Sequence, residues 1–120
     1  MRAMVVDDSS AMRAVLSLTL KRRGFEIVQA KDGFDALNVL SGGAAVDLLL
    51  IDWNMPGMDG LELLRRIRQQ PQYDRARILM VTTESGMEHM AEALSAGANE
   101  YVMKPFTQDV VYEKLELLGL

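Results

Sequence analysis

The chain contains no cysteine. Thiolate metal sites, catalytic thiols and disulfides are therefore excluded. Histidine is nearly absent too, with His89 alone. Zinc and copper, which favour thiolate and imidazole ligands, are poor candidates. No apolar run approaches the length of a membrane span. The start, Met1 to Val6, is too short for an export signal and runs directly into Asp7 and Asp8. A cytoplasmic, soluble protein is expected. Excess positive charge is also lacking. The formal net charge of -4 speaks against nonspecific binding to nucleic acid or to an anionic membrane.

What is present suits one globular domain. The 120 residues are enough for a single core, and 49% of them are hydrophobic. Short apolar runs alternate with helical spacing. Ala3 to Val6 reads as a first strand, followed by Met12, Val15, Leu16 and Leu20 on a helix. Ser9 or Ser10 can cap that helix and Gly24 can end it. Phe25 to Ala30 is a second strand, then Phe34, Leu37 and Leu40 follow on a helix stopped by Gly42 and Gly43. Asp47 to Ile51 is a third strand. Past a loop with Pro56, Gly57 and Gly60, both glycines read as positive-φ turn residues, come Leu61, Leu64 and Ile67.

Ile78 to Val81 is a fourth strand, after a polar surface loop from Pro71 to Arg77. Met87, Met90, Ala91 and Leu94 share a helix ended by Gly97. Tyr101 to Met103 is a fifth strand, and Thr107 caps a final helix with Val111, Leu115 and Leu118. The βα unit thus occurs five times, and strands apolar on both faces fit an α/β fold with a helix-covered parallel sheet. The nine methionines mostly fall at core-like positions and read as adaptable filler.

Ligands of such sheets bind beyond the carboxyl ends of the strands. There the sequence places Asp7 and Asp8 after strand one, Asp52 after strand three, Thr82 and Thr83 after strand four, and Lys104 and Pro105 after strand five. Only strand two ends without distinctive chemistry. A lone Asp after a strand is ordinarily a cap or turn former, and a lone Lys a solvated one. Together they are harder to dismiss. Three adjacent carboxylates repel and need cations to coexist. Lys104 supplies one charge, and a hard divalent ion such as Mg²⁺, with oxygen ligands, fills the deficit. A carboxylate can act as a nucleophile and form an aspartyl phosphate. Metal and Lys104 would offset charge on the transferring oxygens, and a threonine hydroxyl can donate to one of them. Composition does not choose the nucleophile among Asp7, Asp8 and Asp52.

The segments Val5-Val6-Asp7-Asp8-Ser9, Asp52-Trp53-Asn54-Met55-Pro56-Gly57-Met58-Asp59-Gly60, Val81-Thr82 and Tyr101-Val102-Met103-Lys104-Pro105-Phe106 resemble the receiver domains of two-component response regulators, nearest in build to stand-alone chemotaxis regulators of the CheY type. The likeness runs through essentially the whole chain, so residues 1–120 are expected to form one receiver domain. It implies a doubly wound, flavodoxin-like five-stranded parallel sheet in order 2-1-3-4-5 with five helices.

It further implies that Asp52 accepts a phosphoryl group from a phosphohistidine of a sensor histidine kinase. Asp8 would ligate Mg²⁺ directly and Asp7 mainly through water, with Asp52 and the backbone carbonyl of Asn54 completing the protein ligands. Lys104 would contact the phosphoryl group, Thr82 would move toward it, and Tyr101 would swing inward as a switch. Helix four, strand five and helix five would then change their affinity for a partner such as a flagellar motor or signalling component. Asn54 and Glu84 occupy positions that tune hydrolysis in the family, and their pairing implies short-lived phosphorylation. A cis peptide before Pro105 is implied as well. The protein is expected to be a switch rather than an enzyme, with self-catalysed phosphorylation and dephosphorylation only. No binding of nucleic acid or membrane is expected, and the monomer is the expected state.

Other readings have specific obstacles. A Mg²⁺-dependent phosphatase of the haloacid-dehalogenase type needs an acid two residues after its nucleophile, where this chain has Asn54. A flavin-binding protein of similar topology needs hydroxyls and glycine after strand one, where Asp7 and Asp8 would repel a phosphate. A receiver cut from a larger transcriptional regulator, or a relay or phosphate-sink receiver, would carry the same motifs. The close fit of both ends to the first strand and last helix favours a stand-alone protein. Trp53 beside the acceptor reads as partly exposed, and Glu88, His89 and Glu92 as the outward side of helix four.

Overall fold

The computed structural model describes residues 1–83 and 87–120. Five parallel strands, β1 (Arg2–Val6), β2 (Glu26–Ala30), β3 (Leu48–Asp52), β4 (Arg77–Thr82) and β5 (Glu100–Met103), lie in the order β2-β1-β3-β4-β5. The helices between and after them are α1 (Ser10–Arg22), α2 (Gly33–Ser41), α3 (Gly60–Arg68), α4 (Met87–Ala96) and α5 (Gln108–Leu117). This is the expected doubly wound fold.

Strand alternation explains its two layers. Met4, Val6, Leu49, Ile51, Ile78 and Met80 face one side, where they join α2, α3 and α4 through Leu40, Leu64, Ile67 and Ala93. Ala3, Val5, Leu48, Leu50, Leu79 and Val81 face the other and join α1 and α5 through Leu16, Leu20, Val111 and Leu115. Apart from Arg2 at the start of β1, the strand side chains of β1 and β3 are buried on both faces, as a central parallel strand requires. The order reverses between β1 and β3, so the crevice at their carboxyl ends is the ligand position of this topology.

Side-chain caps set several helix starts. Ser9 accepts from the Met12 N–H, Asp32 from Asp35, Asp59 from Glu62 and Thr107 from Val110. Ser9, rather than Ser10, is thus the cap of α1.

Several expectations shift. Asp47 precedes β3, and its carboxylate accepts from the Arg2 N–H at 2.9 Å. Phe25 likewise precedes β2, and β3 and β4 extend to Asp52 and Thr82 themselves. The loop from Pro71 begins with a short 3-10 turn, Pro71–Tyr73, and is pinned by Arg68. That guanidinium donates to the carbonyls of Tyr73, Ala76 and Gly97 and to the Asn99 side chain. Helix α4 turns differently from its apolar spacing. Met87, Met90 and Leu94 are exposed while Ala93 is buried. A small residue lets α4 approach α3 closely, which leaves the long side chains outside. Met1 and Met103 are exposed as well, so the methionines divide between core and surface. Phe34 also faces outward.

Candidate functional site

The carboxyl end of the sheet collects the expected chemistry. Asp7 follows β1 directly, Asp52 ends β3, Thr82 ends β4 and Lys104 follows β5. Asp7 and Thr82 are fully buried, and Asp52 is 4% exposed. One carboxylate oxygen from each of Asp7, Asp8 and Asp52 can be chosen so that all lie within 4.8 Å of one another. Asp8 is the exposed member, on the solvent side of the cluster.

Lys104 reaches into this group. Its Nζ donates to Asp52 Oδ1 at 3.2 Å and to Asp7 Oδ2 at 3.5 Å. Its backbone N–H donates to the Thr82 carbonyl at 2.7 Å, which ties the β5 end to β4. The Lys104–Pro105 peptide is cis. Asp7 is held from below. Its Oδ1 accepts from the Ser9 N–H at 2.8 Å, and its carbonyl accepts from the Arg13 guanidinium at 2.6 Å. Sequence reasoning missed Arg13, because nothing about an Arg in a first helical turn distinguishes it from a solvated one.

Burial pushes the Asp52 carboxyl up to about 6, and the Asp7 charge pushes in the same direction. The Lys104 charge and hydrogen bond, and the Asn54 backbone N–H, pull the other way. One lysine thus fails to balance the crowded carboxylates. The donor set is all oxygen and carries surplus negative charge, which fits a hard divalent cation such as Mg²⁺.

Gly60 has a role that its sequence context hid. It starts α3 without a positive φ, whereas Gly57 does have one, at 82°. A Cβ on Gly60 would overlap the Asp52 carbonyl oxygen and sit 2.8 Å from Trp53 Cα. The Gly60 N–H donates to the Trp53 carbonyl at 2.8 Å. The missing side chain lets α3 start directly against the residues that carry the acidic group.

The surrounding residues fall partly as expected. Asn54 is exposed, and its Nδ2 donates to Thr83 Oγ1 at 3.0 Å. Tyr101 pairs with Met80 and is buried in the core on the α4 side. Trp53 is buried rather than partly exposed. His89 is half-buried rather than outward, and its ring meets Trp53 edge-on with centroids 5.5 Å apart. The turned α4 that exposes Met90 is what brings His89 inward. Glu88 and Glu92 are exposed as expected. Glu84 lies outside the described residues.

Comparisons with known proteins agree with this geometry. The family model for the response regulator receiver domain matches residues 3–116. A chemotaxis protein CheY homolog of Campylobacter jejuni is 45% identical over 117 residues, covering 97% of this chain and 90% of the relative. Chemotaxis protein CheY1 of Helicobacter pylori is 43% identical over 119 residues, covering 98% and 96%. The solved structure of chemotaxis response regulator CheY4 of Vibrio cholerae superposes with a TM-score of 0.89 at 36% identity, covering 98% of this chain and 97% of that one.

Proposed function

The chain belongs to the response regulator receiver domain family and is of the CheY type, and from that premise we propose that Asp52 is its phosphoryl acceptor, with residues 1–120 acting as one receiver domain. The carrying observation is the position of Asp52, buried at the end of β3 beside Asp7 and Asp8, with Lys104 reaching both Asp52 and Asp7. An ionised Asp52 oxygen attacks the phosphorus of a phosphohistidine on a sensor histidine kinase. The phosphorus–nitrogen bond breaks and its electron pair stays on the departing imidazole. Lys104, whose Nζ lies 3.2 Å from Asp52 Oδ1, balances charge on the transferred oxygens. Thr82, one residue beyond the partner of Asp52 on β4, offers its hydroxyl to another phosphoryl oxygen.

Asp8, Asp52, the Asn54 carbonyl and, through water, Asp7 are the residues that would hold Mg²⁺. Bound there, the ion supplies positive charge to the phosphoryl oxygens. Phosphorylation and its reversal are catalysed by this chain alone, with Asn54 and Glu84 setting the rate of loss. Thr82 and Tyr101 carry the change to α4, β5 and α5. Met87, Met90, Leu94 and Met103 give that side an exposed apolar surface for a target protein. The names of the relatives favour chemotaxis as the pathway. A flagellar motor or signalling component is the target this reading proposes. Among the described residues no helix is long and apolar enough to cross a membrane.

The test is Mg²⁺-dependent labelling by a small phosphodonor, wild type against Asp52→Asn. Wild type takes up one phosphoryl group and the variant none. Equal labelling would overturn the assignment.

A further inference from the structure

Asp52 and Val81 are the last paired residues of β3 and β4, and the Trp53 N–H extends the ladder by donating to the Val81 carbonyl at 3.1 Å. Asn54 and Thr83 each lie two residues beyond that pair. Their side chains close one more rung, the 3.0 Å hydrogen bond from Nδ2 to Oγ1. The rung is exposed, whereas Asp52 and Thr82 behind it are buried. It therefore stands on the solvent side of the strand ends that carry Asp52 and Thr82, beside one path by which water can reach the acceptor.

A carboxamide is planar, so anchoring its nitrogen end also fixes where its oxygen lies. Alone at an exposed loop position, the Asn54 side chain would sample several rotamers. We infer that Thr83 is a positioning residue for loss of the phosphoryl group, holding the Asn54 carboxamide so that its oxygen accepts from the attacking water. The inference rests on Asp52 being the acceptor. In this step the water oxygen bonds to phosphorus. The bond from phosphorus to the Asp52 oxygen breaks, and its electron pair returns to the carboxylate. The water's protons end on the released phosphate or in solvent. Thr83 itself touches none of the reacting atoms.

The experiment loads wild type, Thr83→Val and Thr83→Ser with phosphoramidate and Mg²⁺, removes the donor, and follows phosphate release. Valine matches threonine in shape but cannot accept from Asn54. Its phosphoryl group is expected to leave about fivefold more slowly, the rate equivalent of one neutral hydrogen bond. Serine keeps the hydroxyl and should restore the wild-type rate. In an Asn54→Ala background, Thr83→Val should add nothing, because the residue acts only through that amide. The Mg²⁺ midpoint read from Trp53 fluorescence should not move between wild type and Thr83→Val. Wild-type decay in Thr83→Val would overturn the inference. So would a Thr83→Ser as slow as valine, or slowing by valine in the Asn54→Ala background. A wild type that takes up label elsewhere than Asp52, or none, would instead overturn the acceptor assignment and this inference with it.

Discussion

Replacing Asp52 with Asn should stabilise the metal-free protein at neutral pH. The native site holds the Asp52 carboxyl at about 6, against an ordinary value of 3.8. A carboxylate raised in the folded state binds protons more tightly there than in the unfolded chain. Its contribution to stability is fully present below the ordinary value and is lost as pH rises through about 6. With about 1.4 kcal/mol per unit, the ionised group costs about 3 kcal/mol at pH 7.5 and about 1 kcal/mol at pH 4.5. Asn is near in shape, carries no charge, and its oxygen can still accept from Lys104. Its buried amide nitrogen takes back part of the gain, so about 3 kcal/mol is an upper bound. The assay is urea unfolding in a chelator, followed by far-UV circular dichroism at both pH values. Asp52→Asn should have the higher midpoint at pH 7.5, with the gap shrinking at pH 4.5. A variant no more stable than wild type at pH 7.5, or an advantage equal at both pH values, would refute the reasoning.

Mg²⁺ should raise the melting temperature of wild type at pH 7.5 much more than that of Asp52→Asn, because binding to the native state alone stabilises it and one charged ligand is gone; thermal scans with and without the ion check this. Gly60→Ala should lower stability by about 1–3 kcal/mol through overlap with the Asp52 backbone, and should weaken Mg²⁺ binding as well; urea midpoints and a Trp53 fluorescence titration read the two effects. Arg68→Ala should cost about 2–4 kcal/mol, since it strips hydrogen-bond partners from three backbone carbonyls and Asn99; unfolding measurements should show the loss with phosphoryl uptake per folded molecule intact.

The acidic site was legible because strand ends are legible. Runs such as Leu48 to Ile51 admit no polar interruption, so the first carboxylate after them marks the sheet edge. The segments around Asp7, Asp52, Thr82 and Lys104 arrive at that edge together whatever the finer packing. The cap at Thr107 followed from local hydrogen bonding, and that of α1 was narrowed to Ser9 or Ser10, between which only the geometry of the helix start chooses. Asp32 and Asp59 cap in the same way, but each lies among other turn residues and carries no distinguishing local signal. The facing of α4 was not legible. Its apolar spacing points to Met90 and Leu94, but close packing selects the side with Ala93. His89 comes against Trp53 as a consequence. Gly60, Arg13 and Arg68 act mainly on backbone atoms outside their own helices, which helical periodicity does not encode. The Asn54–Thr83 rung depends on the register of two strands, which appears only once β3 and β4 are paired.

The most direct measurement of the central claim is the mapped site of modification. Wild-type protein is treated with phosphoramidate and Mg²⁺, the acyl phosphate is trapped by borohydride reduction, and the reduced residue is located by peptide mass spectrometry. One reduced aspartate is expected, at Asp52, absent when Mg²⁺ is chelated. Reduction at Asp7 or Asp8, or at no aspartate, would contradict that claim.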